Sequence, residues 1–511
     1  MDISKIKTLG ELRKSGYVSR SIKEELRENL IKKLKNRETT FPGIIGYEDT
    51  VIPDTERALL SKHNILFLGL RGQAKTRMAR QMTQLLDEYI PAIEGSEIND
   101  DPLNPISKYA KDEILAQGDN TPIRWMHRTE RYGEKLATPD VSVADLIGDI
   151  DPIKAANLRL SFADERVIHY GIIPKSNRSI FVINEIPDLQ ARIQVALFNI
   201  LEEGDVQIRG FKLRLPLDIL FVFTANPEDY TNRGSIVTPL KDRIESQILT
   251  HYPKSLETSL AITEQEANIH QDQLASVKVS DLVKRLIEQV AFEARNNEYV
   301  DKKSGVSARL TIAAYENAVS AAERRAILNK EKKTQVWISD LSGIIPSITG
   351  KIELVYEGEQ EGPFQVSMNL LDKAIRSQFA LYFPNPETIK KRRSTGKEAV
   401  QKVEENPYKS ITRWFDSGNS VEDFLHVTDK NKLLQLYRVD GLNALVKKYY
   451  PQANDIENAL LMEFVLHGLA AYSLISKKII DNKIEFKDLM GSMVNLGSAS
   501  FSGEEFEDEG Q

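Results

Sequence analysis

The sequence contains no cysteine among its 511 residues. Disulfide bonds, thiolate metal sites and a cysteine nucleophile are therefore excluded. Long apolar runs are also missing, because no stretch approaches the roughly 18 residues that a membrane-spanning helix needs. Residues 1–17 have no apolar core of the kind found in a secretory signal. From these absences we expect a cytoplasmic protein without a membrane span.

Positive charge is not in excess either. The chain has 68 Lys and Arg residues against 75 Asp and Glu residues, which gives a formal net charge of −7. This balance argues against dedicated nucleic-acid binding, because such proteins carry basic patches for the phosphate backbone. The remaining composition, with 41% hydrophobic and 28% charged residues, is ordinary for a globular protein. The length suggests about three domains.

The most informative stretch is residues 64–79, which read NILFLGLRGQAKTRMA. A short apolar run predicts a buried strand, and the residues from Lys75 onward predict a helix. Between them, residues 69–76 follow the phosphate-loop pattern of Gly, four residues, Gly, Lys and Ser or Thr, with Ala74 at the second glycine. In such a loop, backbone amides surround the phosphates, the lysine reaches the β- and γ-phosphates, and the hydroxyl of Thr76 binds Mg²⁺. The alternative is an ordinary strand, turn and helix with a surface lysine.

An apolar segment precedes this loop at residues 44–47. Such a segment often borders a nucleotide base, and Ile45 is the candidate contact, with core packing as an equal alternative. The full set of predicted nucleotide-binding residues is Ile45, Gly69, Gly72, Gln73, Ala74, Lys75, Thr76 and Arg77.

Two further apolar runs end in polar residues. Residues 179–185 read SIFVINE and end in Asn184 and Glu185, and residues 219–226 read ILFVFTAN and end in Asn226. In an ATPase, such strand ends place one acidic residue near Mg²⁺ and another where it polarises the attacking water. Glu185 can orient the water, whereas Asn184 offers a carbonyl oxygen but no charge. The alternative is that these residues only cap the helix or turn that follows.

Shorter elements lie between and after these strands. Residues 158–162 and 167–170 predict a small hairpin, and residues 204–216 predict a second one. Arg243 is expected to be exposed on a short helix. A later helix has Arg309 in its first turn, where a cation opposes the helix dipole and hints at an anionic partner.

Three other segments have distinct patterns. Residues 91–135 contain many Pro, Gly, Asn and Asp residues and predict irregular structure. Residues 350–356 predict a strand. Residues 459–480 predict a buried helix, the most apolar of the chain, with Glu463 and His467 inside it.

The order of these parts resembles that of the AAA+ ATPases. Four stretches carry the resemblance, namely GLRGQAKT, LIGDIDPIKA, RSIFVINEIPDLQARIQVALFNILEEGDVQIRG, and VFTANPEDY followed by LKDRI. The two hairpins indicate the helix-2-insert group. Within that group, the chain resembles the ATPase subunit of magnesium chelatase and its MoxR-like relatives over residues 41–330.

The resemblance implies roles for residues that match the family's motifs. Lys75 and Thr76 fall on the Walker A lysine and hydroxyl, and Thr76 and Asn184 are the implied Mg²⁺ ligands. The implied catalytic residues are Glu185 (Walker B glutamate), Asn226 (sensor 1), Arg243 (arginine finger) and Arg309 (sensor 2). Ala74 and Asn184 depart from the family pattern, and both departures favour slow hydrolysis or a nucleotide-sensing role.

The resemblance also implies the architecture and the partners. The expected fold is α/β, with a three-layer αβα P-loop core around a parallel sheet. The expected domains are an N-terminal helical segment (1–40), the core (41–252), a helical lid (253–345), a mostly helical extension (346–498) and an acidic, disordered tail (499–511). ATP and Mg²⁺ are the implied cofactors. The implied assembly is a homo-oligomeric ring, usually a hexamer, whose partner carries a von Willebrand factor A domain.

Three functions are compatible with this reading. The first is an ATP-hydrolysing protein that remodels or activates a partner. The second is a magnesium chelatase ATPase subunit that drives metal insertion into a porphyrin, for which the sequence contains no specific feature. The third is a nucleotide-sensing scaffold with little hydrolysis, for which Ala74 and Asn184 are the support.

Overall fold

The chain divides into two compact units, Met1–Tyr252 and Pro253–Gln511. The computed structural model describes residues 3–162, 164–208, 214–227, 235–388, 406–422, 426–480 and 483–489. The predicted acidic tail (499–511) lies outside these residues. Among the described residues, none of the helices has the length and apolar character needed to cross a membrane.

Unit 1 contains a five-stranded parallel sheet. Its strands are β1 (Ile65–Leu68), β2 (Tyr132–Leu136), β3 (Ser179–Asn184), β4 (Ile219–Ala225) and β5 (Ser246–Leu249). They pair in the order β5-β1-β4-β3-β2, and every pair is parallel. The carboxyl ends of all five strands therefore meet at one edge of the sheet, where ligands of open α/β folds bind.

Successive side chains of a strand point to opposite faces of the sheet and so belong to two different apolar clusters. In β1, Ile65 and Phe67 belong to one cluster and Leu66 to the other, as the two-residue period of a strand requires. The first cluster includes residues of the helix Ile22–Lys35, and the second includes residues of the helix Ala191–Ala196. Helices thus cover both faces of the sheet, and the predicted α/β fold class is confirmed.

The remaining elements of unit 1 are short. Its α-helices are Leu9–Lys14, Ile22–Lys35, Val51–Leu60, Lys75–Gln81, Lys108–Gln117, Val143–Leu146, Pro152–Leu158, Ile172–Lys175, Ala191–Ala196, Phe198–Glu203 and Thr238–Asp242. Its antiparallel strand pairs are Tyr89–Ile93 with Ile123–His127, Gly148–Ile150 with Ile168–Tyr170, and Asp205–Gln207 with Arg214–Pro216. The last pair confirms the second predicted hairpin, whose tip lies outside the described residues.

The prediction of irregular structure for residues 91–135 is wrong. This segment contains the helix Lys108–Gln117 and the strand Ile123–His127, and β2 begins within it and forms the edge of the main sheet. Some of its turn-forming residues lie in connections, such as Gly95 and Asn99, but Pro91 and Gly133 lie within strands. The strand β2 escaped the sequence pattern because it is half-buried and includes Glu134 and Lys135, as is common for an edge strand.

The first predicted hairpin has the wrong first strand. Residues 158–162 form no strand, and the partner of Ile168–Tyr170 is Gly148–Ile150. The helix Pro152–Leu158 extends into the first predicted strand residue, and Arg159 then has a left-handed φ of +53°, which does not fit an extended strand. Asp151 begins this helix, because its carboxylate accepts hydrogen bonds from two amides in the first turn at 2.9 and 3.0 Å. An Asp cap followed by Pro favours a helix start at this point.

Unit 2 is mainly helical. Its α-helices are Leu256–Glu266, Gln271–Ser276, Asp281–Asn296, Arg309–Leu328, Ile345–Thr349, Tyr356–Glu361, Pro363–Tyr382, Lys409–Asp416, Asp429–Tyr437, Leu442–Tyr449 and Asp455–Ala471. Two short strands, Val277–Lys278 and Thr334–Gln335, are parallel, and an antiparallel sheet has the order Val421–Glu422, Lys483–Lys487, Ser476–Ile480. One apolar cluster contains residues of both the predicted lid and the predicted extension.

The strand predicted at residues 350–356 is wrong. Only a single bridge forms there, between Leu354 and Val300, and the helix Tyr356–Glu361 follows at once. The apolar residues of this segment include Ile352, which is buried in the helical cluster. Burial against helices, and not pairing with another strand, therefore accounts for its apolar pattern.

The helix predicted at residues 459–480 is correct only in its first part. The helix Asp455–Ala471 is buried as expected, but Ser476–Ile480 forms a strand. The chain leaves the helix at Ser473, whose φ of +54° is left-handed and incompatible with continuing an α-helix. Antiparallel pairing of Ile479 with Ile484 then favours the sheet.

The buried charge of Glu463 is satisfied within unit 2. Its carboxylate accepts hydrogen bonds from the backbone amides of Ile338 and Ser339 at 2.9 and 3.1 Å. The ammonium of Lys432, which is also fully buried, lies 3.4 Å from the same carboxylate. A charge inside a protein is tolerated when it is paired and hydrogen-bonded in this way.

Asp218 connects the N-terminal helical segment to the main sheet. It lies directly before β4, and its carboxylate accepts a hydrogen bond from the amide of Ile22 at 2.8 Å. Burial raises the pKa of Asp218 to about 6, although the Ile22 amide and nearby arginines act in the opposite direction. Ionisation of this carboxylate therefore disfavours the folded state.

We expect Asp218→Asn to remove a pH dependence of the stability of unit 1. The wild type loses free energy of unfolding as the pH rises from about 4 to about 6, because only the unfolded chain ionises there. The two-unit difference in pKa sets an upper limit of about 3 kcal/mol. Urea unfolding followed by pulsed hydrogen exchange of β4 should show the variant gaining stability relative to wild type from pH 4 to pH 7. A difference that is constant with pH would contradict this account.

Candidate nucleotide-binding site

Polar residues from three strand ends meet at the carboxyl edge of the main sheet. The phosphate loop, residues 69–76, follows β1, and Asn226 follows β4. Asn184 is the last residue of β3, and Glu185 comes next. Because β4 lies between β1 and β3, these groups are neighbours, and the strand–loop–helix context predicted for the loop is confirmed.

The backbone of the loop is left-handed at two positions. Gly72 has a φ of +73° and Ala74 a φ of +56°. A residue with a Cβ in this region costs about 1–2 kcal/mol relative to its favoured conformations. Gly69 is needed for another reason, since a Cβ there would lie 2.0 Å from the hydroxyl of Thr250. The replacement of glycine by Ala74 thus falls where the backbone itself favours glycine.

Three side chains that the sequence did not indicate hold the loop in place. The hydroxyl of Tyr47 donates to the carbonyl oxygen of Gln73 at 2.9 Å, and that of Thr250 donates to the Gln73 side chain at 2.6 Å. The Tyr252 hydroxyl donates to the carbonyl oxygen of Arg71 at 2.9 Å. Burial raises the pKa of Tyr47 to about 12, so it remains a donor at neutral pH. Thr250 and Tyr252 lie one and three residues after β5, at the same edge of the sheet as the loop.

Lys75 joins the loop to the other strand ends. Its side chain is buried, with 7% of the residue exposed. The ammonium donates to the carbonyl oxygens of Gly69 and Leu70, the latter at 3.1 Å, and to Asn226 Oδ1 at 2.6 Å. The Asn226 amide in turn donates to Glu185 Oε2 at 2.9 Å. A continuous hydrogen-bonded chain therefore links Lys75, Asn226 and Glu185.

A second chain begins at Thr76. Its hydroxyl donates to Asn184 Oδ1 at 3.2 Å, and the hydroxyl of Thr224 donates to the same oxygen at 3.1 Å. The Asn184 Nδ2 group donates to Glu134 Oε1 at 2.6 Å. Sequence reasoning did not find Glu134, because it lies on the edge strand β2.

Oxygen atoms of this second chain are suitable for Mg²⁺. This ion prefers hard oxygen ligands, keeps several waters and usually binds through one or two protein groups together with substrate phosphates. The Thr76 hydroxyl and the Asn184 carbonyl oxygen are such groups. Within the described residues no cluster of three His, Asp or Glu side chains could hold a metal by itself. The residues therefore fit a Mg²⁺ ion that binds together with phosphates.

Arg243 is half-buried and not exposed as expected. Its guanidinium donates to Glu202 Oε2 at 2.8 and 2.6 Å and lies over the ring of Phe198, 5.0 Å from the ring centroid. It follows the helix Thr238–Asp242 directly. Its role as an arginine finger stays a prediction.

The other predicted residues have less specific surroundings. Arg309 is the first residue of the helix Arg309–Leu328 in unit 2, so its predicted place in a first turn is confirmed. Its role at the nucleotide stays a prediction. Ile45 and Arg77 are half-buried in unit 1, and their contact with nucleotide also stays a prediction.

Comparison with known proteins gives distant likenesses to solved structures. Neither a protein-family model nor a curated protein matches the sequence. A proposed ATPase from Cytophaga hutchinsonii aligns with 17% identity over 69% of this chain and 96% of its own, with a TM-score of 0.29. The BchI–BchD complex of magnesium chelatase aligns with 17% identity over 63% and 98%, with a TM-score of 0.33. NtrX from Brucella abortus in complex with ADP aligns with 11% identity over 75% and 70%, with a TM-score of 0.35.

Such low identities and TM-scores carry no argument about activity. The evidence for the fold comes from this chain alone, which has a five-stranded parallel sheet and a phosphate loop directly after β1. The α/β fold that was expected from the resemblance is therefore present in the chain.

We expect Ala74→Gly to stabilise unit 1. Glycine adopts a φ of +56° without the penalty of a Cβ. Part of this gain is offset by the greater freedom of glycine in the unfolded chain, so the net effect should be about 1 kcal/mol. Urea unfolding with pulsed hydrogen exchange of β1 and β4 would measure it.

Arg37→Gly is a matched control for this substitution. Arg37 also has a φ of +56°, but it lies in an exposed turn away from the phosphate loop. It should give a similar gain in stability. Destabilisation by Ala74→Gly alongside a gain in the control would contradict a left-handed phosphate loop at Ala74.

Proposed function

We propose that unit 1 binds ATP together with Mg²⁺ and hydrolyses it to ADP and phosphate. The observation that carries this proposal is the chain from Lys75 through Asn226 to Glu185. Its three side chains come from three separate segments and are those that an ATPase needs at these points. Lys75 is buried at this edge, whereas Asn226 and Glu185 are half-buried. A buried ammonium is costly for stability unless it is paired, which favours a functional reason for its presence.

The residues have distinct roles in this proposal. The backbone of residues 69–76 and Lys75 bind the phosphates, and Lys75 exchanges its carbonyl partners for phosphate oxygens, which form stronger charge-assisted bonds. Thr76 and Asn184 hold Mg²⁺, which neutralises charge on the phosphate oxygens when it is bound. Glu185 orients and polarises the attacking water.

Asn226 has a double function in the same mechanism. Its amide nitrogen holds the Glu185 carboxylate, and its oxygen contacts the Lys75 ammonium. A γ-phosphate that attracts Lys75 therefore changes the environment of Glu185 through one intervening side chain. Asn226 thus senses the γ-phosphate and positions the residue that acts on water.

A nucleotide sensor with little turnover is the second candidate. Its support is Asn184, which has no charge at the position expected to be acidic, and the strained backbone at Ala74. Both features affect phosphate and Mg²⁺ binding more than the positioning of water by Glu185. The two candidates therefore differ in hydrolysis and not in binding.

We extend the proposal to a homo-oligomeric ring, taken as a hexamer, that remodels or activates a partner protein. In such a ring, Arg243 reaches the site of a neighbouring subunit, residues 253–345 form a lid that brings Arg309 to the nucleotide, and the partner carries a von Willebrand factor A domain. Arg243 must leave Glu202 to act in this way. The Glu202 side chain is 54% exposed, and a pair of this kind contributes only about 0–1 kcal/mol. Breaking this ion pair therefore costs little, and the guanidinium also has to leave the ring of Phe198 and the carbonyl oxygen of Pro239.

Substitutions at Lys75 and Glu185 should separate binding from hydrolysis. Lys75→Ala should abolish ATP binding in calorimetry, because it removes the cation at the phosphates. Glu185→Gln should keep ATP bound and lower phosphate release by about 10²-fold or more. Glu97→Gln, in an exposed ion pair with Lys154, is the matched control and should leave both unchanged. Equal turnover in wild type and Glu185→Gln would refute the assigned role, and binding without any turnover would support the sensor.

A mixing experiment should test the role of Arg243 in a neighbouring site. Arg243→Ala should lower turnover by about 10³-fold while ATP still binds. Adding Lys75→Ala subunits, which keep Arg243 but cannot bind ATP, should restore part of the phosphate release in mixed rings. Absence of recovery, with mixed oligomers demonstrated by native mass spectrometry, would exclude action between subunits.

A further inference from the structure

We infer that Glu134 supplies the negative charge that Asn184 lacks, so that the two side chains together act as the acidic group beside Mg²⁺. This inference rests on the proposed function, because it concerns the metal side of the same nucleotide site. Glu134 is a positioning residue in this account, since it acts on the site through Asn184.

Strand register brings Glu134 to Asn184. In the parallel pair of β2 and β3, Glu134 lies opposite Val182, two residues before Asn184. Residues two apart in a strand share one face of the sheet, so Glu134 and Asn184 project from the same face. On this face the carboxylate oxygen Oε1 lies 2.6 Å from the amide nitrogen of Asn184.

Glu134 also determines the orientation of the Asn184 amide. In the observed orientation, Oδ1 accepts hydrogen bonds from the hydroxyls of Thr76 and Thr224 while Nδ2 donates to the carboxylate. The reversed orientation would place the amide oxygen 2.6 Å from a carboxylate oxygen, with repulsion and without a proton between them. The carboxylate thus keeps the Asn184 oxygen directed at Thr76, the hydroxyl expected to bind Mg²⁺.

The negative charge of Glu134 affects Oδ1 through one hydrogen bond and the amide group of Asn184. A hydrogen bond to a carboxylate is strong and polarises the amide that donates it, which increases the negative charge on Oδ1. An aspartate would carry that charge itself. Here one neutral residue on β3 and one carboxylate on β2 divide the same task between them.

The other oxygen of Glu134 is held by different groups. Oε2 accepts hydrogen bonds from Arg80 at 3.1 and 2.9 Å and from the hydroxyl of Tyr132 at 3.0 Å. Arg80 belongs to the helix that follows the phosphate loop, and its side chain is 64% exposed. These contacts fix the position of the carboxylate and leave Oε1 directed at Asn184. If Glu134 were only the partner of Arg80 in a surface ion pair, its role would depend on Arg80. It would not depend on a negative charge beside Asn184.

The test moves one negative charge from position 134 to position 184. Calorimetry of the full chain would measure ATP affinity with Mg²⁺ and with EDTA, and the ratio defines the Mg²⁺ enhancement. Glu134→Gln should lower this enhancement by about 10- to 100-fold, the usual effect of losing a residue that supports a metal ligand. Affinity in EDTA should be unchanged, because the glutamine side chain can still accept a hydrogen bond from the Asn184 amide.

The double variant Glu134→Gln, Asn184→Asp should regain most of the Mg²⁺ enhancement, since it returns one negative charge to the pair.

Two controls separate charge from structure. Arg80→Gln breaks the ion pair but keeps the carboxylate, and it should retain the Mg²⁺ enhancement. Glu97→Gln removes a charge from a distant surface pair and should have no effect. Mn²⁺ bound in the presence of ATP, measured by electron paramagnetic resonance, should follow the same order among the variants.

The outcomes distinguish this inference from the proposed function. Mg²⁺ enhancement in Glu134→Gln equal to wild type, or a double variant no better than Glu134→Gln alone, would overturn the role of Glu134 and leave ATP binding intact. Loss of enhancement in Arg80→Gln equal to that in Glu134→Gln would show a structural ion pair and would also overturn it. A wild-type chain that fails to bind ATP would overturn the proposed function and this inference together.

Discussion

The parallel alignment of the central strands is the constraint on which the rest of unit 1 depends. All residues of β3 and β4 are buried, with helices on both faces of the sheet, so their interiors accept only apolar or fully bonded side chains. Polar groups can collect only where the strands end, and parallel strands end at the same edge. Lys75, Asn184, Glu185 and Asn226 meet there for this reason. The phosphate loop is one part of a polar edge that three strands build together.

The same constraint explains what the sequence could predict. The strands β1, β3 and β4 are continuous apolar runs with a polar end, so the sequence predicts each strand together with the polar residue that follows it. The edge strand β2 has charged residues and a half-buried face, so its pattern resembled a loop, and Glu134 was missed with it. Tyr47, Thr250 and Tyr252 were missed because their contacts with the loop depend on tertiary structure. Local backbone conformation explains another error, because the left-handed φ of Arg159 at the end of the helix Pro152–Leu158 interrupts the strand predicted there.

The two departures from the family pattern differ in their physical nature. Ala74 slightly raises the conformational free energy of the loop backbone. The substitution Ala74→Gly can relieve this cost without changing any charge. Asn184 changes the electrostatics of the site, and its neighbour Glu134 offsets that change only as long as their hydrogen bond persists. A site that divides its charge between two strands depends on the register of β2 with β3.

A crystal structure with Mn²⁺ and a slowly hydrolysed ATP analogue would test the central claim most directly. The account predicts phosphates against the backbone of residues 69–76, with the ammonium of Lys75 moved from the Leu70 carbonyl oxygen onto a phosphate oxygen. It also predicts anomalous density for Mn²⁺ beside the Thr76 hydroxyl, with the Asn184–Glu134 hydrogen bond retained. A nucleotide bound elsewhere, or Lys75 unchanged in the presence of bound nucleotide, would contradict it.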